Sequence, residues 1–110
     1  MNCEIRHEGD AAVVVLSGDI DLESSPGVRT ALLDCVSLKS TVIVDLAAVT
    51  YIDSSGVASL VEAFQSARKG HTRFALAAAS EAALRVLELA RLDKVFSLYA
   101  TVADGLAGGH

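Results

Sequence analysis

The sequence lacks tryptophan, contains a single proline and two cysteines, and has aromatic residues at only 5% of its positions. Cys3 and Cys35 are far apart and show no CxxC spacing, which argues against a disulfide scaffold and fits a reducing compartment. Spaced His and Cys ligands are also missing, so we expect neither a metal site nor a cofactor. With few aromatic rings available, the core must consist mainly of Val, Leu, Ile and Ala.

Positive charge is scarce as well. Nine Lys and Arg residues stand against fourteen Asp and Glu residues, which gives a formal net charge of −5. The basic residues are scattered along the chain, so direct binding to nucleic acid is not expected. No apolar run is longer than Ala11–Leu16, which is too short to span a bilayer, and residues 1–10 are too polar for a signal peptide. These features predict a cytoplasmic protein without membrane insertion.

The apolar segments alternate between strand and helix character, which favours one α/β domain over residues 1–110. We expect its core at about 4–106 and a frayed tail at 107–110. The predicted order is β-β-α-β-α-β-α-β-α. Because strand–helix–strand crossovers are right-handed, this order predicts a mixed, mostly parallel sheet of four to five strands with about four helices.

Strands are predicted where Val and Ile are concentrated or where apolar runs are short. The predicted strands cover residues 3–8, 12–16, 41–45, 73–77 and 95–99. Tyr51-Ile52 is expected to be a separate extended segment, reached through a short connection. Gly18-Asp-Ile-Asp21 is expected to end the second strand as a turn.

Helices are predicted from apolar spacing and from capping residues. Ser25 is expected to cap a helix that begins at Pro26, and Ser80 to cap a later one. A short final helix is expected at 102–106. The helix after residue 56 has the clearest periodicity: Val57, Leu60, Val61, Phe64 and Ala67 share one face, and the first four are expected to be buried against the sheet. The helix after Ser80 is expected to turn Leu84, Leu87 and Ala90 inward.

The most unusual local sequence is Asp53-Ser54-Ser55-Gly56, which lies between a strand-like segment and this amphipathic helix. In one interpretation, Asp53 or Ser54 simply caps the first helical turn. In the other, Ser54 carries a phosphoryl group, which adds roughly −1.5 to −2 charges at a helix N-terminus that favours anions. Burying a poorly paired charge in an interface costs several kcal/mol, whereas the helix dipole stabilises a phosphate at this position by only about 0.3–1 kcal/mol. Phosphorylation would then release a partner without unfolding the domain.

Asp19 and Asp21 follow the first buried strand. One interpretation is turn chemistry with a helix-entry cap. In the other, they form a polar rim beside the Ser54 loop, because parallel strands carry their following loops to the same end of the sheet.

These segments resemble the STAS domain family. Gly18-Asp-Ile-Asp21 is similar to that family's G-[DE]-[LIV]-D turn, and Tyr51–Gly56 is similar to its phosphorylation loop. Thr41–Leu46 and Val57–Leu60 resemble the central strand and the helix that follows the loop, and Ser80–Phe96 resembles the last helix and final strand. The resemblance extends from about residue 4 to residue 106.

The resemblance implies an anti-sigma factor antagonist that is not itself an enzyme. In this family, the unmodified antagonist binds an anti-sigma factor that is also a serine kinase. Phosphorylation of the serine after the motif's Asp, here Ser54, releases it, and a phosphatase reverses the modification. The resemblance also allows a weak homodimer. The partner-binding residues that we assign on this basis are Asp19, Asp21, Asp53, Ser55, Gly56 and Ser59.

Other functions stay open from the sequence. STAS domains with the same motif also serve as subunits of bacterial lipid-transport ABC systems. A receiver-type phosphoacceptor domain would use Asp19, Asp21 and Asp53 with Mg²⁺, but two strands precede the acidic turn and no strand ends in a clear Lys. A serine hydrolase is disfavoured because Ile52 stands where G-x-S-x-G needs its first glycine.

Overall fold

Strands and helices alternate along residues 3–108, the part of the chain that the computed structural model describes. The strands are β1 (Cys3–Glu8), β2 (Ala11–Ile20), β3 (Thr41–Ile52), β4 (Phe74–Ala77) and β5 (Ser97–Tyr99). The α-helices are α1 (Ser25–Ser37), α2 (Ser54–Lys69), α3 (Glu81–Leu89) and α4 (Val102–Ala107), with a 3-10 turn at Leu92–Lys94. Gly108 caps α4, so the helix continues past the predicted start of the frayed tail, while Gly109 and His110 lie outside the described residues.

The strands form one sheet in the order β1-β2-β3-β4-β5. β1 pairs with β2 in the antiparallel sense, and every later neighbour is parallel. The predicted mixed, mostly parallel sheet with about four helices is therefore confirmed. Because each parallel strand lies beside the next one in sequence, right-handed crossovers place α1, α2 and α3 on the same face.

Both faces of the central strands are buried, which explains why β2 and β3 contain continuous apolar runs. The larger core lies between the sheet and helices α1 to α3. Its fully buried large side chains include Leu16, Leu32, Leu46, Leu60 and Leu76. On the opposite face, Val13, Ile43, Ala75 and Ala77 form a smaller core against Val102 and Leu106 of α4.

The two longest strands correct the sequence analysis. Gly18-Asp-Ile-Asp21 is not a turn as a whole, because Gly18, Asp19 and Ile20 continue β2 in register with Val49, Tyr51 and Ile52 of β3. Tyr51-Ile52 is accordingly the end of one continuous strand and not a separate segment. The pairing of β2 with β3 continues past two register shifts. One of them lies next to Gly18, whose φ of 71° is readily available to glycine.

The helix faces also differ from expectation. In α2, Leu60 is fully buried as predicted, but Val57, Val61 and Phe64 are only partly buried. Smaller residues face the sheet beside Leu60, namely Gly56, Ser59, Ala63 and Ala67. In α3, Leu87 is buried as predicted, but Leu84 is only partly buried, Ala90 is exposed, and Ala83 takes the second inner position. Helix α1 begins at Ser25, one residue before its predicted start, and its N-cap position is Ser24.

Candidate functional site

Asp53 is the N-cap of α2, so of the two capping residues considered, the structure selects the aspartate. One carboxylate oxygen, Oδ1, accepts hydrogen bonds from the backbone N–H groups of Ser55 and Gly56, at 2.9 and 3.1 Å. The same oxygen accepts a third bond from the Ser55 hydroxyl at 2.6 Å. The Ser55 hydroxyl and, next, the Gly56 N–H lower the pKa of Asp53, because both bind the ionised carboxylate.

Ser54 is the first residue of α2, and it is exposed as predicted. Among the described residues 3–108, no group forms a hydrogen bond with its hydroxyl, in contrast to Ser55 next to it. The helix cap uses Asp53, Ser55 and Gly56 but leaves the Ser54 side chain out. The hydroxyl of Ser54 is therefore accessible and uncommitted.

The loop after β3 and the turn after β2 meet at the same end of the sheet. The backbone N–H of Asp53 donates to the carbonyl of Ile20 at 3.1 Å. The backbone N–H of Leu22 makes a further, smaller contribution to the lowered pKa of Asp53. Asp53 thus connects the loop after β3 to the end of β2, two residues before Leu22.

Asp21 organises the turn between β2 and α1. Its carboxylate accepts hydrogen bonds from the backbone N–H groups of Glu23 and Ser24, both at 3.1 Å. Its carbonyl accepts from the N–H of Ser25 at 2.8 Å. Asp21 therefore has a turn-forming role, although the N-cap position of α1 is Ser24, while a polar rim that acts together with the Ser54 loop stays a prediction.

Negative charge is concentrated around these two loops. The exposed Asp19 carboxylate accepts a hydrogen bond from the Thr50 hydroxyl at 2.8 Å, which fixes its position at the end of β2. Asp19, Asp21 and Glu23 line one shallow depression, and Asp53 lies at the adjoining helix start. A surface of this kind attracts positively charged side chains.

Two of the residues assigned to partner binding are buried, and this corrects the sequence analysis. A Cβ atom on Gly56 would lie 2.7 Å from Ile52 Cγ1 and 2.9 Å from the Ile20 carbonyl oxygen, so α2 packs directly on the ends of β2 and β3. Ser59 is 5% exposed, and its hydroxyl donates towards the carbonyls of Ser25 and Ser55. Both residues support the site from beneath and offer no surface to a partner.

The sequence analysis missed Leu22, which is 76% exposed between Asp21 and Glu23. The signal was an apolar residue in a turn otherwise made of acidic and hydroxyl side chains. It also missed Arg29 of α1, which forms an ion pair with Glu62 of α2 across the groove between the two helices.

The acidic residues do not form a metal centre within residues 3–108, where no group of three or more His, Cys, Asp or Glu side chains has a suitable arrangement. In the same part of the chain, no helix is both long and apolar enough to cross a membrane.

Comparison with known proteins assigns the family. The model of the STAS domain matches residues 2–105. The chain belongs to the STAS domain family. The anti-sigma-F factor antagonist RsfB of Mycobacterium tuberculosis is 33% identical over 104 residues, which are 93% of this chain and 83% of RsfB.

Solved STAS structures agree with the fold described above. An anti-sigma factor antagonist from Mycobacterium paratuberculosis superposes with a TM-score of 0.88 and 30% identity, over 96% of this STAS domain and 91% of that chain. The Bacillus cell fate determinant SpoIIAA, solved in its phosphorylated form, gives a TM-score of 0.76 over 98% of this chain and 99% of its own. Its identity of 17% shows a shared fold alone.

Proposed function

We propose that this STAS domain is a cytoplasmic anti-sigma factor antagonist whose binding to an anti-sigma factor is switched off by phosphorylation of Ser54. The observation that carries the proposal is the difference between two adjacent serines. The Ser55 hydroxyl is held by Asp53, whereas the Ser54 hydroxyl is exposed and has no hydrogen-bond partner in residues 3–108. The relatives named as anti-sigma factor antagonists support the choice of partner.

A phosphoryl group on Ser54 would have little support from its own helix. The N–H groups of Ser55 and Gly56, which could otherwise bind an anion, already donate to the Asp53 carboxylate. Asp53 and Asp21 add negative charge nearby and repel a second anion. The phosphate would therefore project from the surface and bring its charge to whatever protein covers the loop.

The same arrangement explains why the fold tolerates modification. Ser54 contributes no hydrogen bond to the helix cap, so its phosphorylation breaks none. In a docked complex, by contrast, the added charge would be desolvated beside acidic residues, and this costs several kcal/mol. The free domain stays folded while the complex dissociates.

In this proposal the catalytic groups belong to the partner. A kinase-type anti-sigma factor transfers the γ-phosphoryl group of ATP to Ser54 Oγ, ADP leaves, and a base of the kinase takes the hydroxyl proton. The Asp53 carboxylate is a weak base for that step, because three hydrogen bonds to its Oδ1 stabilise the ionised form and lower its affinity for a proton. The exposed or half-exposed partner-binding residues are Asp19, Asp21, Asp53 and Ser55. A phosphatase would restore the unmodified form.

The test uses every anti-sigma factor with a serine-kinase domain that the source genome encodes, each purified and titrated calorimetrically with this protein. We expect the wild type and Ser54→Ala to bind one of them, and Ser54→Asp to bind it about 30-fold or more weakly. Gln65→Glu, which also adds negative charge to the exposed face of α2 but lies far from its start, should bind like the wild type.

With ATP, the same kinase should add one phosphoryl group to the wild type and to Ser55→Ala, and none to Ser54→Ala, as read by mass spectrometry. Absence of binding to every member of the set would overturn the proposed function. If Ser54→Asp binds as tightly as the wild type, the role as an antagonist stands but the proposed switch at Ser54 is refuted.

A further inference from the structure

Leu22 has a large, apolar and solvent-exposed side chain on a turn that is held by several hydrogen bonds. Its side chain is 76% exposed, although its neighbours in the turn are hydrogen-bonded to one another. Besides the bonds to Asp21, the Ser24 hydroxyl donates to the Asp19 carbonyl at 3.0 Å and accepts from the Asp21 N–H at 3.0 Å. The exposure of Leu22 is thus a property of an ordered turn, and a partner that buries it pays little entropy to fix the backbone.

The position of Leu22 joins it to the modification site. Leu22 follows the end of β2 by two residues, and the carbonyl of Ile20 at that end accepts a 3.1 Å hydrogen bond from the N–H of Asp53, the residue directly before Ser54. The turn that contains Leu22 and the start of α2 therefore lie at the same end of the sheet, where one partner surface can cover both. Other exposed leucines, such as Leu38 and Leu89, lie at the end of α1 and on α3, away from this site.

The surroundings of Leu22 are acidic, with Asp21 and Glu23 on either side in sequence, Asp19 in the adjoining depression and Asp53 across the loop. An apolar centre with a polar rim is the general anatomy of a protein–protein interface. A complementary surface would need an apolar pocket for the leucine and basic side chains at the edge of that pocket.

We propose that Leu22 is the apolar anchor of the partner interface, received by a pocket of the anti-sigma factor that is rimmed by Arg or Lys side chains. This inference rests on the proposed function and names the specificity-determining contact of the same surface. It also explains how a change at Ser54 reaches the whole interface. In the docked complex the basic rim is paired with the acidic side chains of the turn, so a phosphate at the start of α2 would be buried without a partner group and the pocket could not close over Leu22.

The test measures the affinity of Leu22→Ala for the anti-sigma factor that binds the wild type. We expect a loss of about tenfold or more. Leu22→Met keeps an apolar side chain of similar volume and should stay within about threefold of the wild type. Leu89→Ala is the matched control, because Leu89 is 80% exposed and lies on α3, and its affinity should be unchanged.

The acidic residues around Leu22 are tested separately, by the rate of association with the partner. Glu23→Gln should lower the association rate and weaken its dependence on salt, while changing the dissociation rate less. Urea unfolding of Leu22→Ala should match the wild type, which separates a lost contact from a damaged fold.

The outcomes distinguish the two proposals. If no anti-sigma factor binds the wild type, the proposed function fails and the anchor with it. If the wild type binds, Ser54→Asp does not, and Leu22→Ala binds as well as Leu89→Ala, the switch stands and the anchor is refuted. A weakened Leu22→Ala whose affinity Leu22→Met fails to restore would also refute an apolar pocket.

Discussion

The Ser55 hydroxyl donates a 2.6 Å hydrogen bond to the carboxylate of Asp53, and this bond separates the roles of the two serines in the loop. Ser55 belongs to the helix cap, while Ser54 lies outside it. The same carboxylate also binds two backbone N–H groups of α2. A single aspartate therefore shapes the helix start and leaves one hydroxyl available at the surface.

The first prediction compares these serines by their effect on stability. Ser55→Ala removes a hydrogen bond to a partly buried carboxylate and should lower the free energy of unfolding by about 0.5–1.5 kcal/mol. Ser54→Ala removes no bond and should stay within about 0.5 kcal/mol of the wild type. Urea denaturation at neutral pH measures both. Equal losses in the two variants would contradict the distinction on which the assignment of Ser54 rests.

The second prediction concerns the close approach of α2 to the sheet. Gly56→Ala would place a Cβ within 2.9 Å of Ile20 and Ile52 atoms, one of which is a backbone oxygen that cannot move aside cheaply. We expect destabilisation of about 1–3 kcal/mol. Gly27→Ala is the matched control in α1, because nothing lies within 4 Å of its Cβ position. It should stabilise the protein by about 0.5–1 kcal/mol through helix propensity alone.

The third prediction concerns how the stability of the fold depends on pH. The pKa of Asp53 lies below its ordinary value of 3.8, so the folded state binds this proton less readily than the unfolded state. Its contribution to stability is therefore complete above pH 3.8 and is lost as the pH falls through the folded-state pKa. The difference in unfolding free energy between the wild type and Asp53→Asn should shrink as the pH is lowered from neutral into this range.

Carboxyl NMR titration gives an independent check on Asp53. In Ser55→Ala, the pKa of Asp53 should rise towards the ordinary value, because the largest cause of its depression is gone. In the unfolding experiment, the contrary result is a difference in unfolding free energy between the wild type and Asp53→Asn that does not change with pH. That result would show that the fold does not stabilise the charged form of the Asp53 carboxylate.

The fourth prediction concerns the aromatic cluster at the edge of the main core. The ring of Phe64 meets those of Phe74 and Phe96 edge to face, with centroids 6.2 and 5.2 Å apart. Because Phe64 is only partly buried, we expect Phe64→Ala to cost about 3 kcal/mol, the lower end of the range for such truncations. Leu89→Ala, on an exposed face of α3, should cost less than about 0.5 kcal/mol. A loss for Phe64→Ala no larger than that would mean that the cluster contributes little.

Several features could be predicted from sequence because they depend on local patterns. The Val-rich runs predicted buried strands, and Ser80 predicted the start of α3, where its hydroxyl accepts from the Ala83 N–H at 3.1 Å. The small polar residues after β3 predicted a helix start with an exposed Ser54. Each of these conclusions needs only neighbours within a few residues along the chain.

Other features could not be read from local patterns. Gly18 has the sequence signal of a turn, yet pairing with a strand more than twenty residues away keeps it in the ladder. The apolar stripe in α2 predicted only part of the inner face, since Leu60 is fully buried but the other large residues of the stripe are partly buried. Gly56, Ala63 and Ala67 face the sheet because small side chains let the helix approach closely, and Val57, Val61 and Phe64 then pack at the flanks.

The sequence by itself determined the α/β class, the order of the elements and the motif that contains Ser54, because apolar periodicity and capping chemistry act over short distances. Only the tertiary structure decided that Gly56 and Ser59 are buried, and that the turn with the exposed Leu22 lies at the same end of the sheet as the Ser54 loop. The burial of Gly56 and Ser59 depends on how closely α2 approaches α1 and the ends of β2 and β3, and those distances are set by packing between segments far apart in the chain.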